Sequence, residues 1–198
     1  MKIAILASGA GSNAAEIIRT LPNFIKKESA TIAVVISNNE KAGVKNIADL
    51  YALPFKILSL KNKNEDEQSK SYLDVLNKYE IDFIVLAGYL KKLPKELTTA
   101  FPKKIVNIHP ALLPAYGGAG MYGRYVHEAV ISSGDLQSGI TVHYVDEVYD
   151  HGQIIFQATC IIENKDSPDD LAKKVLLLEH ANYTKIIAQT LLSQIDVK

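Results

Sequence analysis

Apolar residues along this chain fall into short unbroken runs separated by stretches with helical spacing. "KIAILAS" (2–8) and "TIAVVIS" (31–37) are rich in β-branched residues and end in turn-forming ones, the pattern of strands covered on both faces. Between them "SNAAEIIRTL" (12–21) predicts a helix, with Ser12 or Asn13 available as its N-cap. A short amphipathic helix is expected over 42–53 and a third strand over 54–58. The polar, acid-rich stretch "NKNEDEQSK" (62–70) leads into a helix over 71–80, and "DFIVLAG" (82–88) and "KKIVNIH" (103–109) read as the fourth and fifth strands.

Connections this long rule out hairpins, so these strands are expected to lie parallel, with helices on both faces. After Pro114 the texture changes. A glycine-rich loop, "AYGGAGMYG" (115–123), precedes a helix near "RYVHEAVISSG" (124–134). Two strands over 139–145 and 152–162 are joined by the short turn "DEVYDH", which predicts antiparallel pairing at that edge. From Ser167 onward a single long helix is expected, started by an N-cap serine, a proline and first-turn acids in "SPDD". The fold class is therefore α/β: a Rossmann-like, mostly parallel twisted sheet, with antiparallel strands toward its C-terminal edge. No repeat or linker interrupts it, and residues 1–198 are expected to form a single domain.

Composition narrows the function classes. With 22 basic and 22 acidic residues the chain has no net charge, which argues against nucleic acid or an anionic membrane as a partner. Cys160 is the only cysteine, so neither an intrachain disulfide nor a cysteine zinc cluster can form. The apolar N-terminal stretch is too short to span a bilayer and runs directly into a strand, so a cytoplasmic protein is expected.

Two places carry chemistry. "SGAGSN" (8–13) joins the first strand to the first helix, where glycines permit a sharp turn and free helix N–H groups suit a phosphate. The loop fits a monophosphate site, a dinucleotide fingerprint or a structural turn. The dinucleotide reading lacks its third glycine, where Ala14 stands, and its acid, where the second strand ends in Ser37-Asn38-Asn39. The second place is "IVNIHPALLP" (105–114), in which Asn107 and His109 share one strand face at the crevice end of a parallel sheet. "VDEVYDHG" (145–152) brings Asp150 to another strand end. An imidazole beside a carboxylate holds and passes a proton, and a carboxamide N–H stabilises a developing oxyanion. No nucleophile elbow appears, so direct transfer between two bound substrates is the chemistry implied.

"ILASGAGSN", "VISNN", "IDFIVLAGYLKKLP", "IVNIHPALLP", "GITVHYVDEVYDHGQIIFQ" and "LEHANY" together resemble the phosphoribosylglycinamide formyltransferases, in order and over nearly the whole chain. The resemblance implies transfer of the formyl group of 10-formyltetrahydrofolate, a cosubstrate, to the amine of glycinamide ribonucleotide in purine synthesis, with no metal. It implies that Asn107 and His109 polarise the formyl oxygen, and that Asp150 raises the pKa of His109 and helps move the proton. Gly11, Ser12 and Asn13 would hold the substrate phosphate. Leu90, Lys91, Lys92 and Leu93, with Asn107, would wall the folate pocket, and Glu179 would face the ribose. Two small-molecule substrates are the implied partners, and the chain is expected to be a monomer or weak homodimer.

The chain departs from the family pattern at two points. Its 115–127 loop is longer, with Arg124 and His127 either reaching a phosphate or folate tail or staying solvated. An arginine usual near the helix after the third strand is replaced by a segment whose only cations are Lys63 and Lys70. His143 is expected to support the site, and a metal held by His109, His143 and Asp150 is disfavoured. His151 and His180 have no assigned role, and Asn182 and Tyr183 are expected to pack the last helix. Among related enzymes, one acting on methionyl-tRNA needs a further domain and a formyltetrahydrofolate hydrolase an N-terminal regulatory one. A sugar-nucleotide formyltransferase would not require Gly-Ser-Asn here. A non-catalytic nucleotide-binding module has no need of Asn107, His109 and Asp150 together.

Overall fold

The computed structural model describes residues 1–195, and the last three residues of the expected 1–198 domain lie outside that range. The strands are β1 (Lys2–Leu6), β2 (Thr31–Ser37), β3 (Phe55–Ile57), β4 (Phe83–Leu86), β5 (Ile105–His109), β6 (Gln137–Tyr144) and β7 (Ile154–Ile161). They form one sheet in the order β3-β2-β1-β4-β5-β6-β7. β1 to β5 run parallel, and β6 and β7 pair antiparallel at the C-terminal edge. The order reverses beside β1, between β2 and β4. Open α/β sheets form their binding crevice at such a point, outside the C-terminal ends of the strands.

The helices are α1 (Ser12–Thr20), α2 (Val44–Leu50), α3 (Glu65–Lys78), α4 (Lys95–Ala100), α5 (Arg124–Ser133) and α6 (Pro168–Ile195). Strand alternation divides the core in two. Ile3 and Ile5 of β1 point into a cluster shared with α1, α2, α5 and α6, while Ala4 and Leu6 point into one shared with α3 and α4. No helix among the described residues is long and apolar enough to cross a membrane.

Three local expectations need correction. The N-cap of α1 is Gly11, at φ +86°, rather than Ser12 or Asn13. Glycine is required twice over: the left-handed backbone disfavours a side chain, and a Cβ there would sit 2.8 Å from Val44. Second, α3 begins at Glu65, six residues before the expected start, and the acid-rich stretch belongs to the helix. Asn64 and Glu67 exchange the reciprocal bonds of a capping box, and Ser69 is the buried residue of the first turns, so no apolar periodicity marks them. Third, α4 was not expected at all. Only Leu97 and Thr98 of its six residues are buried, too few to show a period.

The start of α6 follows the expectation. Pro168 is its first residue, and Ser167 and Asp170 bond each other's backbone N–H groups. Tyr183, buried in the middle of α6, donates its hydroxyl to the carbonyl of Leu86 at 2.8 Å and lies 3.2 Å from that of Val106. It thereby fixes the helix to the end of β4 and to the adjoining β5. Asn182 donates to Leu178 within the helix.

Candidate active site

A cleft of about 460 Å³ opens at these strand ends. Asn107, His109 and Asp150 all line it, as do Leu90, Lys91, Lys92 and Leu93, and Asn13 and Glu179. Of the residues singled out in the sequence, Gly11 and Ser12 lie outside its walls, with Ser12 exposed at the start of α1. Strand register explains the central group. Asn107 of β5 pairs directly with His143 of β6, and His109 pairs with Thr141. Asp150 arrives from the turn after β6 in a left-handed conformation, φ +53°, which aspartate tolerates better than most residues. Gly152 lets that turn fold back, because a Cβ there would collide with the carbonyl of Tyr144.

The polar groups are closely matched. Asn107 Nδ2 lies 3.1 Å from His143 Nε2, and His143 Nδ1 lies 2.8 Å from the carbonyl of Tyr144. His109 Nε2 lies 2.8 Å from the carbonyl of Tyr116, while its Nδ1 is 3.6 Å from Asp150 Oδ2. Asp150 Oδ2 also accepts the backbone N–H of Gly118 at 2.9 Å, and Oδ1 is 3.6 Å from His143 Nε2. At 3.6 Å a carboxylate and an imidazole are coupled by charge, with no direct hydrogen bond between them.

Electrostatics adds burial to the expected pull of Asp150 on His109. His109 is held below the ordinary histidine range, because burial outweighs the opposing pull of Asp150 and the Tyr116 carbonyl, and His143 adds a smaller downward push. Asp150 raises the affinity of His109 for its proton, yet not enough to offset an imidazole that is only 3% exposed. Burial works against the Asp150 charge too, but the neighbouring imidazoles of His143 and His109 and the hydrogen bond from the Gly118 N–H together hold its carboxyl below the usual range.

Beside the cleft, Ser8 ties strand ends together, donating to Asn38 Oδ1 at 2.6 Å and accepting the N–H of Leu90, a lining residue, at 3.0 Å. Tyr89, also in the wall, shares a 2.6 Å hydroxyl contact with Tyr72, and burial pushes the Tyr72 phenol up to about 12. Also in the wall, Asn13 Nδ2 donates to Glu179 Oε2 at 2.8 Å, and burial pushes the Glu179 carboxyl upward. One N–H of the Asn13 amide is therefore taken by Glu179. No side chain caps α1, which leaves its first N–H groups available to an anion.

Neither Lys63 nor Lys70 lines the cleft; they bond Ser71 and Asp74. Arg124 pairs with Glu128, and His151 is exposed beside Asp146. Three contributors carried little sequence signal. His127 was only one of two options in a loop, but it is buried, lines the cleft, and has an Nδ1 without a hydrogen-bond partner among the described residues. Tyr116 and Gly118 act through backbone groups, which side-chain identity does not reveal. Among the described residues no group of three or more His, Cys, Asp or Glu side chains is arranged to hold a metal ion.

Comparison with known proteins decides the family: a model described as "Formyl transferase" matches residues 1–187. The chain belongs to the formyl transferase family. A chloroplastic phosphoribosylglycinamide formyltransferase from Arabidopsis thaliana is 42% identical over 188 residues, covering 94% of this chain and 64% of that protein. The chain thus spans somewhat under two thirds of that plant relative. The phosphoribosylglycinamide formyltransferase of Bacillus subtilis strain 168 is 35% identical over 195 residues, covering 96% of this formyl transferase and 94% of its relative. The crystal structure of the Bacillus halodurans phosphoribosylglycinamide formyltransferase superposes with a TM-score of 0.88 at 32% identity, covering 96% of this chain and 95% of that one.

Proposed function

We propose that this formyl transferase moves the formyl group of 10-formyltetrahydrofolate to the amine of glycinamide ribonucleotide, as a step of purine synthesis. The observation that carries the reading is the meeting of Asn107, His109 and Asp150 in one cleft, which Leu90–Leu93 and the Asn13–Glu179 pair also line. Relatives named for this activity, matched over nearly their full length in bacteria, supply the substrates.

The roles combine this arrangement with those that the family resemblance implies. The folate lies against Leu90, Lys91, Lys92 and Leu93. The ribonucleotide places its phosphate on the N–H groups of Gly11, Ser12 and Asn13 at the start of α1, and its ribose toward Glu179. The amine attacks the formyl carbon, and the carbonyl oxygen becomes an oxyanion. Asn107 donates to it, with one Nδ2–H occupied by His143 and the other free. His109, neutral at pH 7, takes the proton leaving the attacking nitrogen on Nδ1. The imidazolium so formed is balanced by Asp150. The proton then passes to N10 of the folate as the carbon–nitrogen bond breaks, so none is gained or lost. The same reading takes residues 1–198 as one catalytic domain, acting as a monomer or weak homodimer in the cytoplasm, although the Arabidopsis relative is named as chloroplastic.

The test is to incubate the protein with 10-formyltetrahydrofolate, with and without glycinamide ribonucleotide. Formyl loss only with the ribonucleotide is expected. Loss without it indicates a hydrolase, and no loss in either tube rejects the proposed donor and acceptor.

A further inference from the structure

Tyr116 stands two residues beyond Pro114 in the glycine-rich loop, with φ +57°, a left-handed backbone that a bulky residue keeps only when its surroundings hold it. Two contacts do so. Its ring packs on the core cluster of α5 and α6. Its hydroxyl oxygen lies 2.6 Å from Asp135 Oδ2 and 2.6 Å from Ser133 Oγ, at the far end of α5. The carboxylate is the stronger acceptor. Fixed in this way, the residue presents its carbonyl to His109 Nε2 at 2.8 Å. A carbonyl only accepts, so Nε2 carries the proton. In the neutral ring that leaves Nδ1 as the lone pair, facing Asp150.

We propose that Tyr116 is a positioning residue: its phenol bond to Asp135 holds its carbonyl on His109 Nε2 and so reserves Nδ1 as the nitrogen that accepts the proton. The catalytic consequence rests on the formyl-transfer reading; the tautomer does not. Once protonated, the ring has an acceptor on each side, Tyr116 on Nε2 and Asp150 on Nδ1. The other titratable groups near His109 are His143 on β6 and His127 on α5, and each disfavours a second positive charge there.

The test uses the full chain and Tyr116→Phe, which keeps the ring and removes the anchor. Asp135→Ala removes the same bond from the other side, and Asp135→Asn keeps an acceptor oxygen. Nitrogen-15 spectra of histidine-labelled protein without substrates should show Nε2 protonated and Nδ1 unprotonated on His109 near pH 8. Tyr116→Phe and Asp135→Ala should mix the two forms, and Asp135→Asn should restore the first. In turnover, Tyr116→Phe should lose about tenfold in kcat, with both KM values little changed. The acid limb of its pH profile should move to lower pH, because one of the groups holding the proton is loosened. Wild-type spectra with Nδ1 protonated would overturn the proposal. So would variants whose spectra and pH profile match the wild type, even at a lower Tm. A wild type with the expected spectrum and no turnover would instead reject only the formyl-transfer reading.

Discussion

His143 sets the orientation of Asn107. The two face each other across β5 and β6, with Asn107 Nδ2 3.1 Å from His143 Nε2. The opposite ring nitrogen of His143 sits 2.8 Å from the Tyr144 carbonyl and must carry a proton to bond there. In the neutral ring Nε2 is then an acceptor, which turns the NH2 of Asn107, and not its oxygen, toward His143. The remaining N–H is left for a developing oxyanion. Replacing His143 by Phe keeps a ring in the strand pair and removes the acceptor. The expected result is a kcat lower by about tenfold, or about 1.4 kcal/mol, with both KM values near the wild type. An unchanged kcat would mean that Asn107 is oriented by other contacts.

Asn13 and Glu179 form the second buried polar pair of the cleft, at 2.8 Å. In Asn13→Ala the Glu179 oxygen loses its partner. An unpaired buried group costs about 1–3 kcal/mol, and Tm falls by about 2–4 °C per kcal/mol in a chain of this size. The same variant is expected to raise KM for the ribonucleotide and to leave KM for the folate unchanged. A raised folate KM would place the two substrates the other way round in the cleft.

Acid sensitivity should trace in part to His127. Burial holds its imidazole below the ordinary histidine value, with His109 nearby adding to the effect. A histidine kept neutral in the folded state adds stability above its unfolded pKa of about 6.5, and this is lost as pH falls through the folded value. His109 has the same sign. The raised carboxyl of Glu179 works in the opposite direction. Between pH 7.5 and 5.5 the Tm of His127→Gln should fall less than that of the wild type. Parallel falls would show that His127 does not contribute.

Much of the architecture was legible because it rests on periodicity. β2 occupies the expected residues 31–37, and α6 begins where "SPDD" announced it. The site residues were legible for a different reason, since Asn107 and His109 are polar where a buried strand should be apolar. What escaped depends on relations that no single stretch displays. The polar first turns of α3 bury little beyond Ser69, and α4 is too short for a pattern. For the pKa of His109, the upward pull of its partner Asp150 is visible in the sequence, and the larger effect of its burial is not. The holds of Tyr116 on His109 and of Gly118 on Asp150 use backbone groups that every residue possesses.

In the proposed mechanism Asn107 and His109 act together on one formyl group. The most direct measurement is kcat for Asn107→Ala and His109→Ala with both substrates saturating, following the formylated ribonucleotide by mass. Each is expected to lose about two to three orders of magnitude, with both KM values close to the wild type. Near-normal turnover in either variant would contradict the mechanism and place the chemistry on other residues of the cleft.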